Sequence, residues 1–153
     1  MKHLKKSLKV NLQVEKITEL NELDSAFKIR KVVFVEEQKV NATDEYDEFE
    51  DSAVHFLAKL DETPVGTARW RFTEKGVKLE RFAVLKEARG KGVGQVLVQS
   101  VLLDIAENPK ANSKIKYLHA QLDAVPLYEK FGFQKVGDVF EECNILHFKM
   151  ELS

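Results

Sequence analysis

Residues Arg89–Gly94 read R-G-K-G-V-G and hold three of the chain's 7 glycines, Gly90, Gly92 and Gly94. The apolar segment Leu79–Val84 leads into them as a strand-like run, and Val93–Ala106 leads out as an apolar helical run. A strand that turns through glycines into a helix start aims several backbone N–H groups at one point. No bond inside the helix satisfies those first N–H groups, and the helix dipole adds partial positive charge there. Such a turn is an anion cradle, most often for phosphate. Arg89 and Lys91 add full charges to it.

The totals narrow what can surround the cradle. A chain of 153 residues suits a single domain, expected to span 1–153. With 24 basic and 25 acidic residues the net charge is −1, so no overall field draws in nucleic acid. One cysteine, Cys143, excludes a disulfide framework. His3, His55, His119 and His147 are scattered without metal-ligand spacing, so no metal is expected. Met1–Lys9 is basic but lacks the apolar segment of a secretory signal. No apolar run approaches the roughly 20 residues that span a bilayer. These features suggest a soluble, cytoplasmic protein with no membrane partner.

Taken in order, Val10–Ile17 alternates as a first strand. Asn21 or Asp24 is placed to cap a helix running to about Gln38, with Leu23, Phe27 and Phe34 on its apolar side. Arg30 falls inside that apolar arc, so it either snorkels to the edge or pairs at a site border. Asn41–Asp51 is densely acidic. It is either a solvated loop or the rim of a pocket for a cationic substrate, with Tyr46 and Phe49 as apolar walls. Ala53–Leu60 and Val65–Phe72 form a hairpin, with Pro64 expected to end the ladder. Val77–Val84 adds a third antiparallel strand, on which period two puts Glu80 on one face with Phe82 and Val84. After the helix, Ile115–Leu122 reads as a strand parallel to Val77–Val84 through a right-handed crossover. Val125–Phe131 is a short helix, and Phe133–Val139 and Asn144–Glu151 close the chain as antiparallel strands. The sum is an α/β fold with a mixed, mostly antiparallel sheet of 6–7 strands, one parallel step and 3–4 helices. Ligand is expected where the parallel strands end.

Neither common nucleotide loop fits. The P-loop spacing is absent, and G-x-G-x-x-G fails because Gln95 and Leu97 fall at the sixth positions counted from Gly90 and Gly92. The stretch instead has the form R-x-x-G-x-G and closely resembles the pyrophosphate-binding loop of the GNAT superfamily of N-acetyltransferases. Arg81-Phe82-Ala83-Val84 before it and Val96-Leu97 after it match that family's strand–loop–helix motif. The segment from Gln121 through Tyr128 to Gly132-Phe133 resembles its second motif, although an Asn commonly stands where Gln121 does. Arg30–Gln38 and Leu146–Met150 look like a small bacterial branch of the family whose substrates are unassigned.

The resemblance implies acetyl-CoA as donor, an amine as acceptor and, often, a homodimer. It implies that coenzyme A binds through Phe82, Ala83 and Val84, through Arg89, Gly90, Lys91, Gly92, Val93 and Gly94, and through Gln121 and Tyr128. The pantetheine arm would lie along Phe82–Val84 like an added strand, with the Val84 N–H as the first choice of oxyanion donor. Tyr128 would be the general acid that protonates the leaving thiolate. The base stays open among Glu80, which is the first choice, Glu37, His119 and a water chain. Cys143 reads better as a small buried thiol than as a nucleophile. The acceptor stays open between a small cationic amine and a protein lysine or N-terminus. A sensor that binds acetyl-CoA without turnover is the non-enzymatic alternative.

Overall fold

The computed structural model describes residues 11–152. Val10 of the expected first strand lies outside them. One sheet of seven strands runs β1-β2-β3-β4-β5-β7-β6. Its members are β1 (Leu12–Lys16), β2 (Val54–Leu60), β3 (Thr63–Thr73), β4 (Gly76–Val84), β5 (Lys116–Gln121), β6 (Gln134–Glu142) and β7 (Ile145–Leu152). The helices are α1 (Leu20–Arg30), α2 (Ala42–Glu45), α3 (Val93–Ala106) and α4 (Val125–Glu129).

Side-chain alternation sorts the strands into two cores. On one face α3 lays Val93, Leu97, Val101 and Ile105 against Trp70, Leu79, Leu118 and Met150, all at most 2% exposed. Burial at this scale, about 25 cal/mol per Å² of apolar surface, makes that layer the main source of stability. Trp70 keeps its polar edge satisfied there by donating to Asp104 at 2.9 Å. On the other face Ala26, Ile29 and Val33 pack on Leu57 and Ala83.

The expected helix after β1 exists, but neither Asn21 nor Asp24 caps it. It starts at Leu20, and Glu19 at the cap position makes no side-chain bond to it. Beyond Arg30 the helix continues as a π-helical stretch, Lys31–Glu37, closed by the Gln38 N–H donating to the Val33 carbonyl at 3.0 Å. Such wide turns tend to mark functional positions. Pro64 also differs from expectation. It is the second residue of β3, in register with Lys59, and the turn is carried by Asp61 and Glu62, both at positive φ.

The most consequential departure lies in β4. Thr67 pairs with Ala83 and Arg69 with Glu80, so Arg81 and Phe82 together oppose Ala68 in a β-bulge, with Arg81 at φ 59°. The extra residue reverses the alternation. Glu80 therefore shares a face with Arg69 and Ala83, whereas Phe82 and Val84 pack into the α3 core. The shared face expected for Glu80, Phe82 and Val84 does not exist. The β4–β5 step is parallel as expected, and only Val77–Leu79 and Lys116–Leu118 are in register. Past Leu79 and Leu118 the two strands part, and a cleft opens between them.

Candidate active site

The cleft is open to solvent and holds a cavity of about 170 Å³. Phe82 and Tyr128 line it from β4 and α4, and Glu142 and His147 from β6 and β7.

The glycine cradle lies at the N-terminus of α3, and none of Arg89–Gly94 lines the cleft itself. Gly92 is the cap residue of α3 at φ 83°, and Gly90 stands at φ 78°. Both are conformations that L-residues with a Cβ adopt at a cost. A Cβ built at either would meet nothing within 4 Å, so the space in front of these amides is open. Gly94 differs, because a Cβ there would sit 3.4 Å from Leu127. Arg89 and Lys91 are exposed beside the turn, and Val93 is buried as the first anchor of α3.

The β4 edge is also open. The Leu85 N–H donates to the Val65 carbonyl at 2.8 Å, so the alternation of an antiparallel ladder turns the N–H and C=O of Val84 away from β3, toward the gap. The Val84 carbonyl accepts from Arg89 Nε at 3.0 Å. The same guanidinium grips Glu37 through two bonds of 2.6 and 2.7 Å. That bond holds Glu37 ionised below the usual carboxylate range, and Glu37 does not line the cleft, which removes it as a base.

Tyr128 is 6% exposed, with its ring edge-to-face with Phe82 at 5.7 Å and with Phe133 at 6.2 Å. Burial first, then the charge of Asp123, pushes its phenol well above the ordinary value. It therefore stays protonated. Gln121, at the end of β5, donates to Gln38 at 2.9 Å across the cleft.

Glu80 lines the cleft with its carboxylate already engaged. It accepts from Arg69 Nε at 2.8 Å and Arg71 Nε at 2.7 Å, and Lys78 lies at 3.3 Å. Burial alone would raise its pKa, but the Arg69 charge and the Arg71 bond outweigh it and hold the group ionised. A carboxylate so stabilised has little appetite for a proton.

The acidic run is not a free solvated loop. Arg30, only 1% exposed, donates to Glu45 and Glu50, which decides between its two readings in favour of pairing. Arg69, fully buried, holds Asp47, Glu50 and Glu80. Arg81 reaches Glu45 and Asp47. Tyr46 packs edge-on to Phe27 and Phe49 lies beneath Arg71, so neither walls the cleft. Asp44 and Glu45 do line it. Cys143 is exposed in the β6–β7 turn rather than buried, and partial desolvation together with the charges of Asp44 and Glu142 raises its thiol pKa above the ordinary value.

Three groups in the cleft escaped the sequence reading as a set. His119 Nδ1 lies 3.2 Å from Glu142, whose pKa the bond pulls down to about 2. His147 donates from Nδ1 to the Ile145 carbonyl at 2.7 Å. Phe140 stands between the two rings, 5.0 Å from His119 and 5.7 Å from His147. Only the β5–β7–β6 register brings them together.

The GNAT acetyltransferase domain model matches residues 25–153. An acetyltransferase-named protein of Bacillus subtilis (strain 168) is 39% identical over 142 residues, covering 91% of this chain and 95% of that one. Among solved structures, Escherichia coli ElaA superposes with a TM-score of 0.77 at 27% identity, over 94% of this chain and 99% of that one. Arabidopsis thaliana Naa50, in complex with the bisubstrate analogue CoA-Ac-MVNAL, superposes with a TM-score of 0.69 at 26% identity, over 93% and 98%. A glycine cradle at a helix start, an open strand edge and a splayed parallel step, together with these matches, establish that the chain belongs to the GNAT family of acyl-CoA-dependent N-acetyltransferases.

Proposed function

We propose that the protein acetylates the primary amine of a small cationic molecule. The observation that carries this reading is the charge of the cleft wall. Asp44, Glu45, Glu80 and Glu142 line it. Glu45 is compensated by Arg30 and Arg81, and Glu80 by Arg69, Arg71 and Lys78, which leaves exposed Asp44 and Glu142, whose described partner is His119, as the acidic charges of the wall. An uneven wall of this sign draws in a cation.

Acetyl-CoA, when bound, supplies an activated acyl carbon and a thiolate leaving group. The amides of Gly90–Gly94 and the α3 dipole suit its pyrophosphate, and Arg89 and Lys91 add charge beside them. Phe82–Val84 offers an open edge to the amides of the pantetheine arm, and an outward N–H on that edge suits the developing oxyanion. Gln121, which ends β5 and lines the cleft, offers a further contact for the arm. Tyr128, kept protonated and without a described bonding partner, is suited to hand its proton to the departing sulfur.

A second reading is favoured by the likeness to Naa50, whose bisubstrate analogue carries a peptide. In that reading the acceptor is a protein N-terminus. One assay separates the two: thiol release from acetyl-CoA with a linear diamine, an aminosugar, free lysine and short peptides. Turnover with the small amines alone supports the proposal. Turnover with peptides alone overturns it in favour of the second reading, and tight coenzyme binding without thiol release from any acceptor supports a sensor.

A further inference from the structure

The geometry points to His119, oriented by Glu142, as the general base that deprotonates the acceptor amine; the inference rests on the acetyltransferase reading above. Glu80 is spent on Arg69, Arg71 and Lys78, and Glu37 on Arg89. The cleft also holds the exposed carboxylate of Asp44 and a buried, unpartnered Oε2 on Glu45, whose other oxygen is held by Arg30 and Arg81. Among the described groups, the remaining lone-pair acceptors on its wall are the two imidazoles. Neutral imidazole carries one N–H, and the bond it makes decides which nitrogen keeps the lone pair. Glu142 can only accept at His119 Nδ1, and a carbonyl can only accept at His147 Nδ1. Both rings therefore present a bare Nε2.

The partners separate their roles. An imidazolium formed at His119 faces a carboxylate, which compensates the new charge as the acidic member of a catalytic triad does. An imidazolium at His147, only 6% exposed, would be bonded to a carbonyl rather than to a carboxylate, with Glu142 acting on it only from beyond bonding distance. His147 is thus an acceptor that orients the amine, and His119 takes the proton. The charged and titratable groups around His119 are Glu142 on β6, Lys149 opposite it on β7, and Lys78 and Glu80 on β4. Tyr117 on its own strand and, in the same cleft, His147, Cys143, Asp44, Glu45, Arg81 and Tyr128 are the others. Lys149 is drawn off by Glu151 at 3.2 Å, and Lys78 by Glu80. Glu142 is the group bonded directly to the ring.

The protons balance. His119 Nε2 takes one proton from the ammonium and later yields it to solvent. The free amine then forms the N–C bond as the C–S bond breaks, and Tyr128 protonates the thiolate. The second proton, shed by nitrogen as the amide forms, returns through solvent to Tyr128. One proton is released per turnover.

The test uses the full chain, acetyl-CoA and the acceptor panel named above. For His119→Ala, kcat is expected to fall about 10²- to 10⁴-fold with acetyl-CoA affinity unchanged, and added imidazole should restore part of the rate. The acid-side limb of the pH–rate profile should disappear with the ring. Glu142→Gln, which keeps a polar partner and removes the charge, should lower kcat at unchanged KM. A His119→Ala enzyme within about threefold of wild type, or a slow one deaf to imidazole with the acid limb intact, overturns the assignment alone. A wild-type enzyme that releases no thiol with any acceptor overturns the acetyltransferase reading and the base with it.

Discussion

Arg69 donates to Glu80 at 2.8 Å across the β3–β4 ladder, at the last register before the bulge. The contact ties the acidic loop to the strand that builds the cleft, because the same guanidinium also holds Asp47 and Glu50. Removing one partner of a buried ion cluster leaves the others uncompensated, at a cost of about 3–5 kcal/mol. Arg69→Met should lower the unfolding free energy by about that amount. Chemical denaturation measures it, and a loss below about 1 kcal/mol would show that the cluster is not the clamp described.

The same cluster sets an acid limit. Asp47 is lowered from 3.8 to about 2, mainly by the Arg69 bond once burial is overcome, and Glu50 and Glu80 are lowered for similar reasons. A depressed carboxylate contributes stability that is complete above its unfolded pKa and is lost as pH falls through its folded one. Glu45 is shifted up by burial and works in the opposite direction, but it is one group against three. Stability should therefore drop between about pH 4.5 and pH 2. A circular-dichroism acid titration of wild type against Asp47→Asn reads it, with a shallower drop expected in the variant.

Tyr128→Phe should retain coenzyme affinity and fold while turnover drops tenfold or more, toward the usual range for a lost general acid. The phenol has no described partner to orphan, so removing it leaves no unsatisfied group. Calorimetric coenzyme titration beside thiol-release kinetics separates binding from chemistry. Unchanged kcat would remove Tyr128 from the reaction.

Gly92→Ala tests the cradle. A Cβ there clashes with nothing in the protein, so the penalty comes from φ 83° and from obstruction of the amides. Left-handed backbone costs an L-residue roughly 1–2 kcal/mol. That strain and the added methyl together should weaken coenzyme binding about tenfold. Equal affinity for variant and wild type would place the pyrophosphate elsewhere.

The elements set by local pattern were legible in the chain itself. Val93, Leu97, Val101 and Ile105, four apart and bounded by glycine and Asn108-Pro109, define α3 to the residue. The β2–β3 hairpin and the parallel step followed from alternation and from the helix between β4 and β5. What escaped depends on distant partners. Arg81 adopts φ 59° without being a glycine, so no residue type announces the bulge that turns Glu80 off the expected face. Arg30 gave no hint of which acids it meets 15 and 20 residues later. His119 and His147 are 28 positions apart by their numbers, and only strand register makes them neighbours. The cradle depended on adjacent residues alone, which is why the acetyltransferase family was readable from it and the pairing of His119 with Glu142 was not.

The three-residue register between β4 and β5 has one more consequence. It divides the work of the enzyme between stretches of chain that hardly overlap. In the proposed reading residues 82–94 and Tyr128 serve the donor, whereas the cleft-lining residues between 34 and 45, His119 and those between 142 and 147 serve whatever receives the acetyl group. Inheritance can rewrite the second set while leaving the first intact. A lineage built on this plan can change customers without changing its supplier, and a laboratory seeking a new acceptor has the same freedom.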